Sequence, residues 1–118
     1  MRAEDGIQKT IVAWLEAVVP GVFVFAIPNA ARRGPGQRAG NAVPGLKKGM
    51  PDLCFLHDER AYFVEVKTGS SRRPSEVQVD CHLELIERGY DVTVATSIED
   101  MREALAAWGI HTREVAHV

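Results

Sequence analysis

Two apolar runs, DLCFL (52–56) and AYFVEVK (61–67), stand only four residues apart, and this closeness constrains the fold more than any other feature of the chain. Both are rich in β-branched and aromatic residues, which suit a pleated, half-buried surface. The link between them, HDER, is too short for a helical crossover, so the two runs can only fold back on each other as an antiparallel hairpin. With Asp58 and Glu59 as a two-residue tip, Asp52 falls directly opposite Glu65, and Lys67 lies one step further along the same face. Asp-Glu is not among the dipeptides that such tips favour. Side chains alternate along a strand, so Val64 and Val66 point to one face while Glu65 and Lys67 point to the other. Two readings of that charged face stay open: an exposed cross-strand pair worth tenths of a kcal/mol, or two groups held rigidly for chemistry.

The rest of the chain supplies partners for this hairpin. Ile7, Ile11, Leu15 and Val18 recur at helical spacing and predict a helix over about 3–18, ended by Pro20-Gly21. VFVFAI (22–27) reads as a strand closed by Pro28. Residues 28–49 are rich in Gly and Pro and predict a long loop. SEVQ (75–78) has the Ser-x-x-Gln form of a capping box. It opens a helix to Arg88 with Val77, Cys81, Leu85 and Ile86 inward and Gly89 as its stop. DVTVAT (91–96) is a further strand, and Ser97 caps a last helix that buries Ile98, Met101, Leu105 and Trp108 before Gly109. Trp14, Trp108 and Tyr90 read as core residues. The order is αβββαβα, which predicts one α/β domain over 1–118 with a mixed central sheet flanked by helices.

Net charge is −2 over 118 residues, but its distribution is uneven. Arg32, Arg33, Arg38, Lys47 and Lys48 share a loop with no acid in it, and Arg72-Arg73 follow the central hairpin. The acids gather in the predicted helices. A basic loop system on an acidic body can dock a polyanion, although a solvated loop has the same composition. No run approaches the roughly 20 apolar residues of a membrane helix. MRAEDGIQ carries an acidic pair where a signal peptide would turn apolar, so a cytoplasmic location is expected. Cys54, Cys81 and the histidines at 57, 82, 111 and 117 form no zinc spacing, which turns attention to oxygen ligands.

Asp52 and Glu65 are those ligands on the chemical reading. Paired carboxylates hold Mg²⁺ or Mn²⁺, hard ions that prefer oxygen, and the carbonyl of Val66 can join them. Lys67 can stabilise an attacking hydroxide and the charge that builds on phosphorus. Each residue also has a plain structural reading. Gln78 can merely cap its helix, Glu4 can serve a helix N-terminus, and Asn29 and Asn41 can be turn residues.

Taken together, PD (51–52) and EVK (65–67) resemble the motif of the PD-(D/E)XK nucleases, whose core has the αβββαβ order of restriction endonucleases. Within that superfamily the chain resembles the virus-type replication-repair nuclease (VRR-NUC) family. The resemblance runs through Glu4 and IQ (7–8), PN (28–29), GMPDL (49–53), FVEVKTG (63–69) and SEVQVDCHLELIERGYDV (75–92). It implies metal ligation by Asp52 and Glu65, a catalytic role for Lys67, an accessory role for Gln78, and Glu4 as an outer member of the site. It also implies branched or flapped DNA, Holliday junctions included, as substrate, with Asn29 and the basic residues on the backbone. A homodimer and a role in replication, repair or phage DNA processing follow from the same resemblance. The competing expectation is a non-catalytic nucleic-acid-binding module of the same fold.

Overall fold

The computed structural model describes residues 3–28, 43–70 and 73–114. Within them the observed order is the expected αβββαβα. The elements are α1 (Ala3–Val18), β1 (Phe23–Ala26), β2 (Leu53–His57), β3 (Arg60–Val66), α2 (Glu76–Glu87), β4 (Asp91–Ala95) and α3 (Ile98–Ala107). The four strands form one mixed sheet in sequence order, antiparallel from β1 to β3 and parallel between β3 and β4.

The hairpin register is the one expected for a two-residue tip at Asp58-Glu59, with Leu53 opposite Val64 and His57 opposite Arg60. Its tip is formed by Asp58 and Glu59 at φ 51° and 65°, both in the left-handed region that a mirror-image turn requires. Such conformations cost a non-glycine residue roughly 1–2 kcal/mol each. They persist because the register seats Leu53, Phe55, Tyr62 and Val64 together on one buried face.

That face packs against α1 and α3. Ile11, Leu15 and Val18 of α1 and Met101 and Leu105 of α3 close a core with Val66 and Ala95. Phe55 stacks on Tyr62 at 5.0 Å between ring centres, and Trp108 tilts against Tyr62 at 5.1 Å. Burying a side chain of this size contributes about 1.5–3 kcal/mol, so this face carries most of the stability. After α3, Arg113 donates from its backbone N–H to Val18 O and from Nε to Ala17 O, satisfying carbonyls that the end of α1 leaves open. Glu114 accepts from Trp14 Nε1 and from Arg102, tying the same segment to α1 and α3.

The opposite face of the sheet is covered by α2, and here two expectations are corrected. Val77 and Ile86 are 50% and 49% exposed, so they do not face inward. The inward stripe is Gln78, Cys81, His82 and Leu85, one position around the helix from the expected one, because polar groups on α2 must meet a charged residue on β3. Tyr90 is 43% exposed and lies edge-on against Phe63, so it is a surface residue and not a core one. No helix among the described residues is long and apolar enough to cross a membrane.

Candidate functional site

The site forms where the C-terminal end of β3 passes beneath the first turns of α2. Glu65 is the pivot. Its neighbours Val64 and Val66 point into the α1–α3 core, which forces its own side chain to the α2 face. There it is only 1% exposed, which removes the exposed cross-strand reading. Gln78 Nε2 donates to Glu65 Oε2 at 3.3 Å, and His82 Nε2 lies 3.1 Å from Glu65 Oε1.

Asp52 precedes β2 and is 5% exposed. Extending the hairpin register by one pair sets it opposite Glu65. Its Oδ2 accepts the backbone N–H of Val66 at 2.7 Å, while its carbonyl accepts Ile27 N–H at 2.8 Å. The carboxylate is thereby locked to the peptide that follows Glu65. Val66 meets Asp52 through its N–H, and its carbonyl is the group that the sequence suggests as a ligand. Gly49, three residues upstream of Asp52, makes this placement possible. Its φ is +82°, and a Cβ there would sit 2.4 Å from Val77 O, so only glycine lets the loop backbone lie against the first turn of α2.

Lys67 leaves the strand half-buried and donates from Nζ to Gln78 Oε1 at 2.8 Å. The same oxygen accepts Ser75 N–H at 2.9 Å, and Ser75 Oγ accepts Gln78 N–H at 3.2 Å, which completes the capping box. Capping and site contact are therefore one arrangement, not alternatives. Glu4 lies half-buried in the first turn of α1, one turn from Gln8, whose buried Oε1 has no hydrogen-bond partner among the described residues.

Lys47 and Lys48 are exposed beside a groove of about 680 Å³ between their loop and α2, which Met50, Cys81 and Leu85 also line. Arg73 is exposed just before α2. Asn29, Arg32, Arg33, Arg38, Asn41 and Arg72 lie outside the described residues. Cys81 Sγ sits 3.3 Å from Met50 Sδ, and burial pushes its thiol above the ordinary value; Lys47 pulls it back, and Glu65 and Glu84 push it up again.

His82 is the residue that sequence reasoning missed. The available signal was its spacing: it lies four residues after Gln78, on the same face of α2. The apolar periodicity of Val77, Cys81 and Leu85 drew the inward stripe away from it.

Among the described residues, no group of three or more His, Cys, Asp and Glu side chains is arranged to hold a metal ion. Two buried carboxylates are what the protein supplies. Such a donor set fits a divalent cation that keeps several waters and takes further oxygens from a phosphate, the habit of Mg²⁺.

A solved structure described as a VRR_NUC domain shares this architecture with a TM-score of 0.63 at 24% sequence identity, covering 89% of this chain and 96% of that one. The likeness shows the fold, a mixed four-stranded sheet flanked by helices in the manner of a restriction-endonuclease-like α/β core, and the matched structure bears the name of the family that the sequence motifs resemble. No protein-family model and no curated protein matches the chain.

Proposed function

We propose that this protein is a metal-dependent endonuclease that hydrolyses DNA phosphodiester bonds, working as the VRR-NUC nucleases do. The observation that carries the reading is the chain of hydrogen bonds Lys67–Gln78–Glu65 beside the buried carboxylate of Asp52. A pure binding module has no use for two buried carboxylates next to a phosphate, since they repel it.

Asp52, Glu65 and the carbonyl of Val66 would hold Mg²⁺ or Mn²⁺. When bound, such an ion polarises a phosphoryl oxygen and lowers the pKa of a coordinated water. Lys67, held at the rim by Gln78, offers its ammonium to the attacking oxygen and to the charge that gathers on phosphorus. Lys47, Lys48 and Arg73, with Arg32, Arg33, Arg38, Arg72 and Asn29, would engage the backbone, giving affinity without base readout. Glu4 is an outer acidic residue on this reading.

Branched, flapped or four-way DNA is the proposed substrate, and a homodimer would present two sites to a two-fold symmetric junction. Val79, Leu83 and Ile86 support self-association. They repeat along one side of α2 at 41%, 49% and 49% exposure, more apolar surface than a solitary helix needs to show. The molar mass by light scattering reads the dimer directly.

The test is cleavage of end-labelled duplex, flap and four-way-junction DNA with Mg²⁺, Mn²⁺ or EDTA. Metal-dependent products support the nuclease, and their ranking names the substrate. Binding that survives EDTA with no product in either metal would favour the non-catalytic module.

A further inference from the structure

We infer that His82 is a positioning residue that fixes the carboxylate plane of Glu65 for cation capture, an inference that rests on the metal-dependent reading above. Nothing in the motifs of the sequence assigns it a role. His82 is 8% exposed and Glu65 1%, so their contact at 3.1 Å is closed off from solvent.

The geometry is specific. A carboxylate that binds a cation only accepts hydrogen bonds, so on this proposal the Nε2–H tautomer of His82 donates to Oε1. Gln78, one helical turn earlier, donates to Oε2. Two donors from one face of α2 therefore bracket the two oxygens of one carboxylate. The terminal torsion of a glutamate is broad and costs little to turn, so a glutamate held at one oxygen alone would sample many orientations. Held at both, it presents a single one. Each oxygen spends one lone pair on α2 and keeps another directed elsewhere. Hydrogen bonds of this kind to metal-binding side chains typically change metal affinity 10- to 100-fold.

A merely structural role would be to satisfy a buried oxygen and nothing more. The two roles separate through isosteres. The amide nitrogen of glutamine reaches where His Nε2 lies, whereas that of asparagine reaches only as far as Nδ1. His82→Gln restores the donor at the carboxylate, and His82→Asn and His82→Leu remove it.

The experiment titrates Mn²⁺ into the full chain without DNA, following loss of the free-ion EPR signal. Wild type, His82→Gln, His82→Asn, His82→Leu and Glu65→Gln are compared, with a thermal melt of each. The expected result is a dissociation constant about 10- to 100-fold weaker in His82→Asn and His82→Leu, with most of the loss recovered in His82→Gln. Wild-type affinity in the Asn and Leu variants, with only a lowered melting temperature, overturns the positioning role and leaves the nuclease reading standing. Wild type that takes up no more Mn²⁺ than Glu65→Gln overturns both. Should His82→Leu fail to fold, the Asn and Gln pair carries the comparison.

Discussion

Lys67 Nζ donates to Gln78 Oε1 at 2.8 Å, and from the same side chain Gln78 Nε2 reaches on to Glu65 at 3.3 Å. One glutamine thus joins the lysine and the glutamate of EVK while its oxygen also closes the N-terminus of α2 through Ser75. The position of the lysine is tied to helix capping, so on the proposed nuclease reading a change at Gln78 should act on stability and chemistry together.

Gln78→Glu and Gln78→Ala separate the two. Glutamate keeps the capping box and a partner for Lys67 but sets a like charge beside Glu65. Helix content should be retained and cleavage should fall about tenfold or more. Alanine loses the box as well, at about 1 kcal/mol. Circular dichroism, urea unfolding and cleavage rates on the same preparations check both.

The hairpin tip stores strain that has no part in the site. Replacing Asp58-Glu59 by Asn-Gly, the residues that accept positive φ, should stabilise the protein by about 1 kcal/mol. The melting temperature rises by a few degrees and cleavage is unchanged. An unaltered melting temperature would mean that the turn is not strained.

Gly49 and Gly45 form a matched pair. Both have φ above +80°, but only at Gly49 would a Cβ meet α2, whereas nothing lies within 4 Å of one at Gly45. Gly45→Ala should cost about 1 kcal/mol from conformation alone. Gly49→Ala should cost about 2 kcal/mol or more and should depress cleavage, because the loop that leads to Asp52 must move off Val77. Equal losses in urea unfolding would remove the close approach as a factor.

The thiols predict a pH dependence. Burial raises the Cys81 thiol first of all, so it is protonated at neutral pH. A group whose pKa is raised by folding adds stability below its unfolded value and loses it as pH climbs through the folded one. Iodoacetamide should therefore label Cys81 slowly at pH 7 and faster above the ordinary thiol range of about 8.5, with stability falling over the same span. Cys54, 4% exposed and also raised by burial, should stay unlabelled in the native protein. Mass spectrometry of each cysteine reads the order.

The hairpin was legible in the sequence because a four-residue link forces the two runs back on each other, and alternation puts Val64 and Val66 on one face. The exact register followed once Asp58-Glu59 was taken as the tip, although that dipeptide does not favour it. Asp52, Glu65 and Lys67 came together as a consequence of that register. The inward face of α2 was not legible in the same way. Cys81 and Leu85 fit two overlapping stripes, one completed by Val77 and the other by Gln78 and His82. Apolar periodicity selects the first. The buried carboxylate of Glu65 on the facing strand selects the second, and that choice depends on a tertiary contact that no local pattern contains. Tyr90 is similar: its aromatic character suggests burial, but it follows the helix stop at Gly89 and reaches only the edge of Phe63.

The most direct measurement is cleavage of the best DNA substrate by wild type and Lys67→Ala in saturating Mn²⁺, with binding of the same DNA measured in parallel. The account predicts unchanged affinity, because the backbone contacts belong to other basic residues, and a loss of rate of at least about 10²-fold, as expected when a group that stabilises transition-state charge is removed. Equal rates in the two proteins would contradict it, and so would an absence of any metal-dependent product from wild type.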